Sequence, residues 1–330
     1  MNPSGIFSIK AKKDFEKKAL EVFRFQAENN PVYKKYIEQL GIHPQKIKSV
    51  SAIPFLPIEF FKTLEIVSRL HVSGQAQLFL SSGTTGAERS RHFVQDVSLY
   101  EKSFRRCFEM FYGDVKQYAV LALLPSYYEN KNSSLLYMAM DLIRQSKNKQ
   151  SGFFNDRDET IIQSVKDLLK QKQKIFLFGV SFALLDLAEK LLTPYADTKN
   201  LIVMETGGMK GRREEITREE LHEILCRKFG VKKIHSEYGM TELLSQAYSE
   251  RDGIFKCPPW MKVFARDVKD PFQILPAGKT GALNIIDLAN INSSSFIAAQ
   301  DIGKIYKDGL FEVLGRIDNS DLRGCNLLTT

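Results

Sequence analysis

Lys174-Ile175-Phe176-Leu177-Phe178-Gly179 is a short apolar run ended by a glycine, and it reads as a buried strand. Helix and strand alternate outward from it. Upstream, residues 159–172 place Ile161, Ile162, Val165, Leu168 and Leu169 on one helical face. Downstream, Ser181 caps a further helix through Leu192, and Leu201-Ile202-Val203-Met204 is the next strand. Thr217-Arg218-Glu219-Glu220 is a capping box. The helix after it turns Leu221, Ile224, Leu225 and Phe229 inward and ends at Gly230. Ile234-His235-Ser236-Glu237-Tyr238-Gly239 follows as a strand and turn. Such alternation predicts an α/β protein with a mainly parallel sheet covered by helices, and ligands at the carboxyl ends of its strands.

The flanks differ. Near the start, Asp14 caps a helix with Phe15, Ala19, Leu20, Val22, Phe23 and Ala27 as its apolar residues; Pro31 opens a second helix that Gly41 closes. Residues 51–62, with two prolines in an apolar context, suit an extended segment packed on a core. After Arg251 helical periodicity fades, and runs such as Gly281-Ala282-Leu283-Asn284-Ile285-Ile286-Asp287 alternate with turn residues. The expected organisation is a helical N-terminal segment over 1–75, an α/β core over 76–251 and a β-rich part over 252–330.

The 330 residues, 43% hydrophobic, suffice for a large core. The net charge of +8 comes from scattered residues, which argues for mild attraction of anionic substrates and against a nucleic-acid footprint. Four cysteines lie far apart with no C-x-x-C pair, which argues against a zinc site and a disulfide framework and for reduced thiols in the cytoplasm. No signal-peptide core stands at the start, and the longest uncharged apolar stretch, Ile175 to Leu185, is too short to span a bilayer.

Four loops carry chemistry. Ser81-Ser82-Gly83-Thr84-Thr85-Gly86 follows the apolar run Gln77-Leu78-Phe79-Leu80; two glycines allow close backbone approach and four hydroxyls can donate to an anion, as a phosphate loop requires. Glu205-Thr206-Gly207-Gly208-Met209-Lys210-Gly211-Arg212-Arg213 joins an open backbone to cations. Tyr238-Gly239-Met240-Thr241-Glu242 gathers an aromatic ring, a hydroxyl and a carboxylate, suited to a base, a phosphate and Mg²⁺. Asp301-Ile302-Gly303 with Gly315-Arg316-Ile317-Asp318 pairs a carboxylate for ribose hydroxyls with an arginine. His92 could touch phosphate, although a histidine beside a strand is more often structural. His222-Glu223 lacks the second histidine of a metalloprotease helix.

In this order and spacing these loops resemble the adenylate-forming superfamily of acyl-CoA synthetases, luciferases and peptide-synthetase adenylation domains. The resemblance implies a large adenylation domain of mainly parallel sheets with a β-rich C-terminal part. By it, residues 81–86 cradle the ATP phosphates, Gly207 and Gly208 line the adenine site and Tyr238 stacks on the base. Thr241 would hold the α-phosphate, Glu242 the Mg²⁺, and Asp301 and Arg316 the ribose. Gly278-Lys279-Thr280-Gly281 looks like the family's glycine hairpin; it is not a Walker loop, because Gln273 stands where glycine is needed. The superfamily's usual small C-terminal domain, with its catalytic lysine, is absent from the pattern, and Lys210 is the candidate substitute cation.

A closer resemblance is to the acyl-protein synthetases of the LuxE type. It rests on Leu124-Pro125-Ser126-Tyr127 with Ser133-Ser134-Leu135, on the Thr-Gly-Gly-Met-Lys-Gly run from Thr206, and on Asp318-Asn319-Ser320-Asp321-Leu322-Arg323-Gly324-Cys325-Asn326-Leu327. That branch implies an acid–thiol ligase that makes acyl-AMP from a fatty acid, moves the acyl group to its own cysteine and delivers it to a reductase. Cys325 is the candidate acceptor: it lies beside Arg323, which favours the thiolate, and the nine residues from Arg316 extend roughly 30 Å. Two rivals stand beside this reading. In one the acyl group passes to coenzyme A or a carrier protein; in the other the chain is a non-catalytic nucleotide-binding partner subunit.

Overall fold

The computed structural model describes residues 3–68, 74–82, 88–125, 132–155, 160–209 and 213–317. In chain order they begin with helices α1 (Lys12–Asn29) and α2 (Pro31–Gln39), strand β1 (Leu56–Pro57) and the short helix α3 (Phe60–Thr63). Strands β2 (Gln77–Leu80) and β3 (Arg91–Val94) follow. An alternating run comes next: α4 (Val97–Tyr112), β4 (Tyr118–Leu123), α5 (Ser134–Ser146), β5 (Gly152–Phe154), α6 (Thr160–Lys170), β6 (Lys174–Val180), α7 (Ser181–Lys190), β7 (Leu201–Thr206), α8 (Arg218–Phe229) and β8 (His235–Tyr238). Strands β9 (Ala247–Ser249) and β10 (Ile254–Phe255) close it. Four longer strands end the described chain: β11 (Met261–Arg266), β12 (Thr280–Asp287), β13 (Phe296–Ile305) and β14 (Phe311–Arg316). No helix among the described residues is long and apolar enough to cross a membrane.

The chain divides into two units. One comprises Leu78–Ala87 and Ser98–Phe255. Its sheet runs in the order β5-β4-β6-β7-β8-β9, the first five strands parallel and β9 antiparallel to β8. All six residues of β4 are buried, as are the last six of β6, which is why these strands read as continuous apolar runs. Phe108 and Tyr112 of α4 pack edge-on to Phe176 of β6, with centroids 5.0 and 5.4 Å apart.

Local rules explain most helix ends, with two corrections. The Thr217–Glu220 capping box forms as read, and Gly230 ends α8 at φ +71°. Ser181, however, is not a cap. Val180 holds the N-cap position of α7, and the Ser181 hydroxyl turns sideways, with Glu205 Oε2 and the Gly207 carbonyl each 3.2 Å away as acceptors for its one proton. Asp14 is likewise the third residue inside α1, reaching back to accept from the Ala11 N–H at 3.2 Å.

The other unit comprises Met1–Gln77, Glu88–Val97 and Lys256–Thr330. Its antiparallel strands β11-β12-β13-β14 accept β1 as a parallel partner of β13, Leu56 opposite Ile297. Phe23 and Tyr33 of the first two helices meet Phe296 of β13, each with centroids 6.1 Å apart. His92 belongs to this core. Its ring packs edge-on to Phe61 at 5.6 Å, and its Nε2 lies 3.1 Å from Asn290 Oδ1.

Candidate active site

Two neighbouring turns form the centre of the site. Strands β7 and β8 run parallel with Thr206 opposite Glu237, so the chain leaves the sheet side by side, as Gly207-Gly208 and as Gly239-Met240-Thr241-Glu242. Gly207 has φ +67°, the left-handed region that glycine enters without strain. Gly207 and Gly208 are exposed, and a Cβ added at Gly208 would meet nothing within 4 Å. The backbone of this turn therefore presents an open surface to a flat ligand. Tyr238, at the end of β8, is buried with its ring 5.8 Å from Phe255. Thr241 is half-buried, and Glu242 is only 5% exposed.

Beneath these turns lie two buried acids that sequence reading passed over. Glu205 receives the Ser181 hydroxyl on Oε2, while its Oε1 stands 3.5 Å from both Arg218 Nε and His222 Nε2. Arg218 also lies over the Phe255 ring at 5.3 Å, so one guanidinium joins Glu205 to the ring behind Tyr238. Glu237 is hydrogen-bonded through Oε2 to the Thr206 hydroxyl. Its other oxygen reaches under the second turn, where a Cβ on Gly239 would stand 2.5 Å from Oε1. Burial pushes the Glu237 carboxyl up to about 7; the Thr206 hydrogen bond opposes the rise and the charge of Glu205 adds to it. The signal available in the sequence was an acid in each of two strands that a buried parallel sheet would otherwise keep apolar.

Ser81 and Ser82 follow β2, half-buried and exposed respectively, where the Leu80 N–H donates to Asn132 O at 2.8 Å. Gly83, Thr84, Thr85, Gly86, Lys210 and Cys325 lie outside the described residues. In the other unit Asp301 and Arg316 are register partners on β13 and β14, with Arg316 Nε 3.5 Å from Asp301 Oδ1. Gly278, at φ +90°, turns the chain into β12 with its N–H on Ile305 O at 2.8 Å. The structure thus brings Gly207, Gly208 and Tyr238 together in one unit and Asp301 with Arg316 in the other. Among the described residues no group of three or more His, Cys, Asp or Glu could hold a metal ion by itself. A single carboxylate such as Glu242 suits Mg²⁺, which completes its shell with water and substrate phosphates.

The fold is shared with solved structures of low identity. ATP-bound MatB from Rhodopseudomonas palustris is 15% identical at a TM-score of 0.54, over 72% of this chain and 47% of that one. A 2-hydroxyisobutyryl-CoA ligase in complex with 2-HIB-AMP and CoA is 14% identical at 0.68, over 93% of this chain and 68% of that one. A luciferase-like enzyme from the nonluminescent mealworm Zophobas morio is 18% identical at 0.52, over 76% of this chain and 60% of that one. The chain thus spans about half the length of the MatB structures it matches. No curated protein matches it. The family model described as acyl-protein synthetase, LuxE, matches residues 6–330. With an α/β fold common to adenylating ligases and a match over nearly its whole length, this chain belongs to the LuxE acyl-protein synthetase family.

Proposed function

We propose that this chain activates a carboxylic acid, a fatty acid by the family's name, with ATP and passes the acyl group to a thiol. The observation that carries the reading is the extent of the family match, which runs through both the 81–86 loop and Cys325. In the first step a carboxylate oxygen attacks the α-phosphorus of ATP, forming acyl-AMP and releasing pyrophosphate. In the second a thiolate attacks the acyl carbon and AMP leaves, giving a thioester.

The chain's contribution to the first step is positioning and charge neutralisation. Residues 81–86 would hold the phosphates by hydroxyls and backbone N–H groups, with Lys210 as the added cation and Thr241 at the α-phosphate. Gly207 and Gly208 would carry adenine with Tyr238, and Asp301 and Arg316 the ribose. Glu242 would hold Mg²⁺, which when bound neutralises phosphate charge.

Cys325 is the proposed acceptor, and the other thiols favour this choice. Burial pushes the thiols of Cys226 and Cys257 up, away from the thiolate that attack requires. Cys107 is buried with its Sγ on Gln246 O at 3.2 Å. A reducing compartment such as the cytoplasm would keep the acceptor available, and an acyl reductase or acyltransferase would be the receiving partner.

Carboxylate-dependent exchange of labelled pyrophosphate into ATP tests the first step. Absence of exchange with every acid in a chain-length series would leave the non-catalytic reading standing. Labelled fatty acid with ATP should then leave hydroxylamine-sensitive label on the protein. Cys325→Ala should lose this label and keep exchange, whereas Cys226→Ala should keep both. If Cys325→Ala is labelled as well as the parent, the acceptor is another group; if only added coenzyme A becomes acylated, transfer is to the free thiol.

A further inference from the structure

The Thr206–Glu237 contact poses a question of proton count. Thr206 Oγ1 lies within hydrogen-bond reach of two acceptors on one residue, the Glu237 carboxyl oxygen Oε2 and the Glu237 main-chain carbonyl, the latter at 3.4 Å. A hydroxyl has one proton to give. With Glu237 ionised, only one acceptor can be served. With Glu237 protonated, the carboxyl donates to Oγ1 and the threonine proton goes to the carbonyl, so both contacts are satisfied. The second carboxyl oxygen occupies the space under Gly239 that a Cβ would take. One side chain thereby joins the end of β7, which leads into Gly207, to the turn that leads from Tyr238 into Thr241.

We propose that Glu237, acting through Thr206 as the neutral acid, is a positioning residue that holds the Gly207 and Gly239 turns in the arrangement that binds nucleotide. The inference rests on the adenylation reading above. Loss of the proton places a second negative charge beside Glu205 in a buried pocket and removes one of the two hydrogen bonds.

The groups that face Glu237 lie on β7, α4 and β9. From β7 these are Thr206 and the Glu205 carboxyl, the latter with Arg218 and His222 at 3.5 Å. From α4 they are Tyr100 and Tyr112, and from β9 its register partner Tyr248. Burial raises all three phenols well above their usual value, with the Glu237 charge adding to the rise, so they stay neutral throughout. The Glu237 carboxyl itself is pushed up to about 7.

Calorimetric binding of Mg-ATP to the full chain at pH 6, 7 and 8, with pyrophosphate exchange measured in parallel, tests the proposal. One pH unit above the Glu237 pKa about one molecule in ten keeps the proton, so the parent's apparent Kd should rise about tenfold between pH 6 and pH 8. Glu237→Gln, whose amide donates at both pH values, should remove that rise; dividing the parent's Kd ratio by the variant's cancels the titration of the nucleotide. Thr206→Ser should keep the pH dependence, and Thr206→Val should weaken binding at pH 6 and flatten it. Should Glu237→Gln fail to fold, the two threonine variants decide. If the parent binds and exchanges but Glu237→Gln and Thr206→Val follow the parent's pH dependence, this inference fails alone. If the parent neither binds Mg-ATP nor exchanges pyrophosphate at any pH, the adenylation reading fails and takes the inference with it.

Discussion

Gln26→Leu is expected to destabilise the unit built on β11–β14 by about 3 kcal/mol, with a matching fall in its urea midpoint. Gln26 is fully buried on α1, in line with Val22, Phe23 and Ala27. Its amide nitrogen, Nε2, lies 3.1, 2.9 and 3.0 Å from the carbonyls of Asn290, Ile291 and Ser293, and its Oε1 accepts the Ser295 N–H at 3.0 Å. Asn30, one turn on, adds a bond from Nδ2 to Ser293 O at 2.9 Å. These partners lie on the segment between β12 and β13. The substitution leaves the buried Ser295 N–H without its acceptor, at about 1–3 kcal/mol, and each further hydrogen bond lost adds about 0.5–1.5 kcal/mol, while Asn290 O keeps the Ser293 N–H, Ile291 O the Ser68 hydroxyl and Ser293 O the Asn30 amide. The leucine adds apolar burial that offsets part of this cost. Asn29→Ala is the control, since the Asn29 amide donates to Phe25 O in its own helix and the variant should fall within about 0.5 kcal/mol of the parent. A Gln26→Leu loss no larger than the control's would show that the segment keeps its shape without the amide.

Gln26 also marks where the sequence stops being readable. The apolar residues of α1 were legible from spacing, and Phe15, Ala19, Val22, Phe23 and Ala27 are buried. Leu20, read with them, is only partly covered, and Gln26 takes a place in the buried stripe instead. Nothing local distinguishes that glutamine, because its partners are 264 to 269 residues away. Capping follows the same division. The Thr217 box is contained in four consecutive residues and could be read directly. Ser181 stands at a helix start like a cap, yet its hydroxyl serves Glu205 on the adjacent strand. In the candidate site, glycines at strand ends announce a turn whatever surrounds them, so Gly207 and Gly208 were legible. Glu205 and Glu237 were not, because their meaning depends on the β7–β8 register, which places Thr206 opposite Glu237.

The same register sets up two opposing titrations, and their separation by mutation is the second large effect expected. His235 and Glu237 both lie buried on β8. Burial pushes the His235 imidazole down from 6.5 to about 4, with Lys233 adding to the fall, and pushes Glu237 up from 4.5 to about 7. Each displacement corresponds to about 3 kcal/mol of pH-linked stability. The signs differ. For His235 the folded value is depressed, so its contribution is fully present above pH 6.5 and is lost as pH falls towards 4. For Glu237 the folded value is raised, so its contribution is fully present below pH 4.5 and is lost as pH rises through 7. Between pH 4.5 and 6.5 one slope cancels the other, and the parent should show little net change from this pair. Glu237→Gln should expose the histidine limb: relative to the parent, its stability should climb by about 3 kcal/mol from pH 4.5 to pH 7.5. His235→Asn, which keeps a polar atom facing the Tyr112 hydroxyl now 3.3 Å from Nδ1, should show the reverse, losing about 3 kcal/mol relative to the parent from pH 4 to pH 6.5. The constant offset of each variant contains cavity and hydrogen-bond changes, but those do not vary with pH, so the slope alone carries the test. Denaturant melts of the three proteins at half-unit pH intervals would decide it. Variant curves that run parallel to the parent's would mean that neither group is held in the protonation state its burial demands, and that water reaches both along β8 in the folded protein.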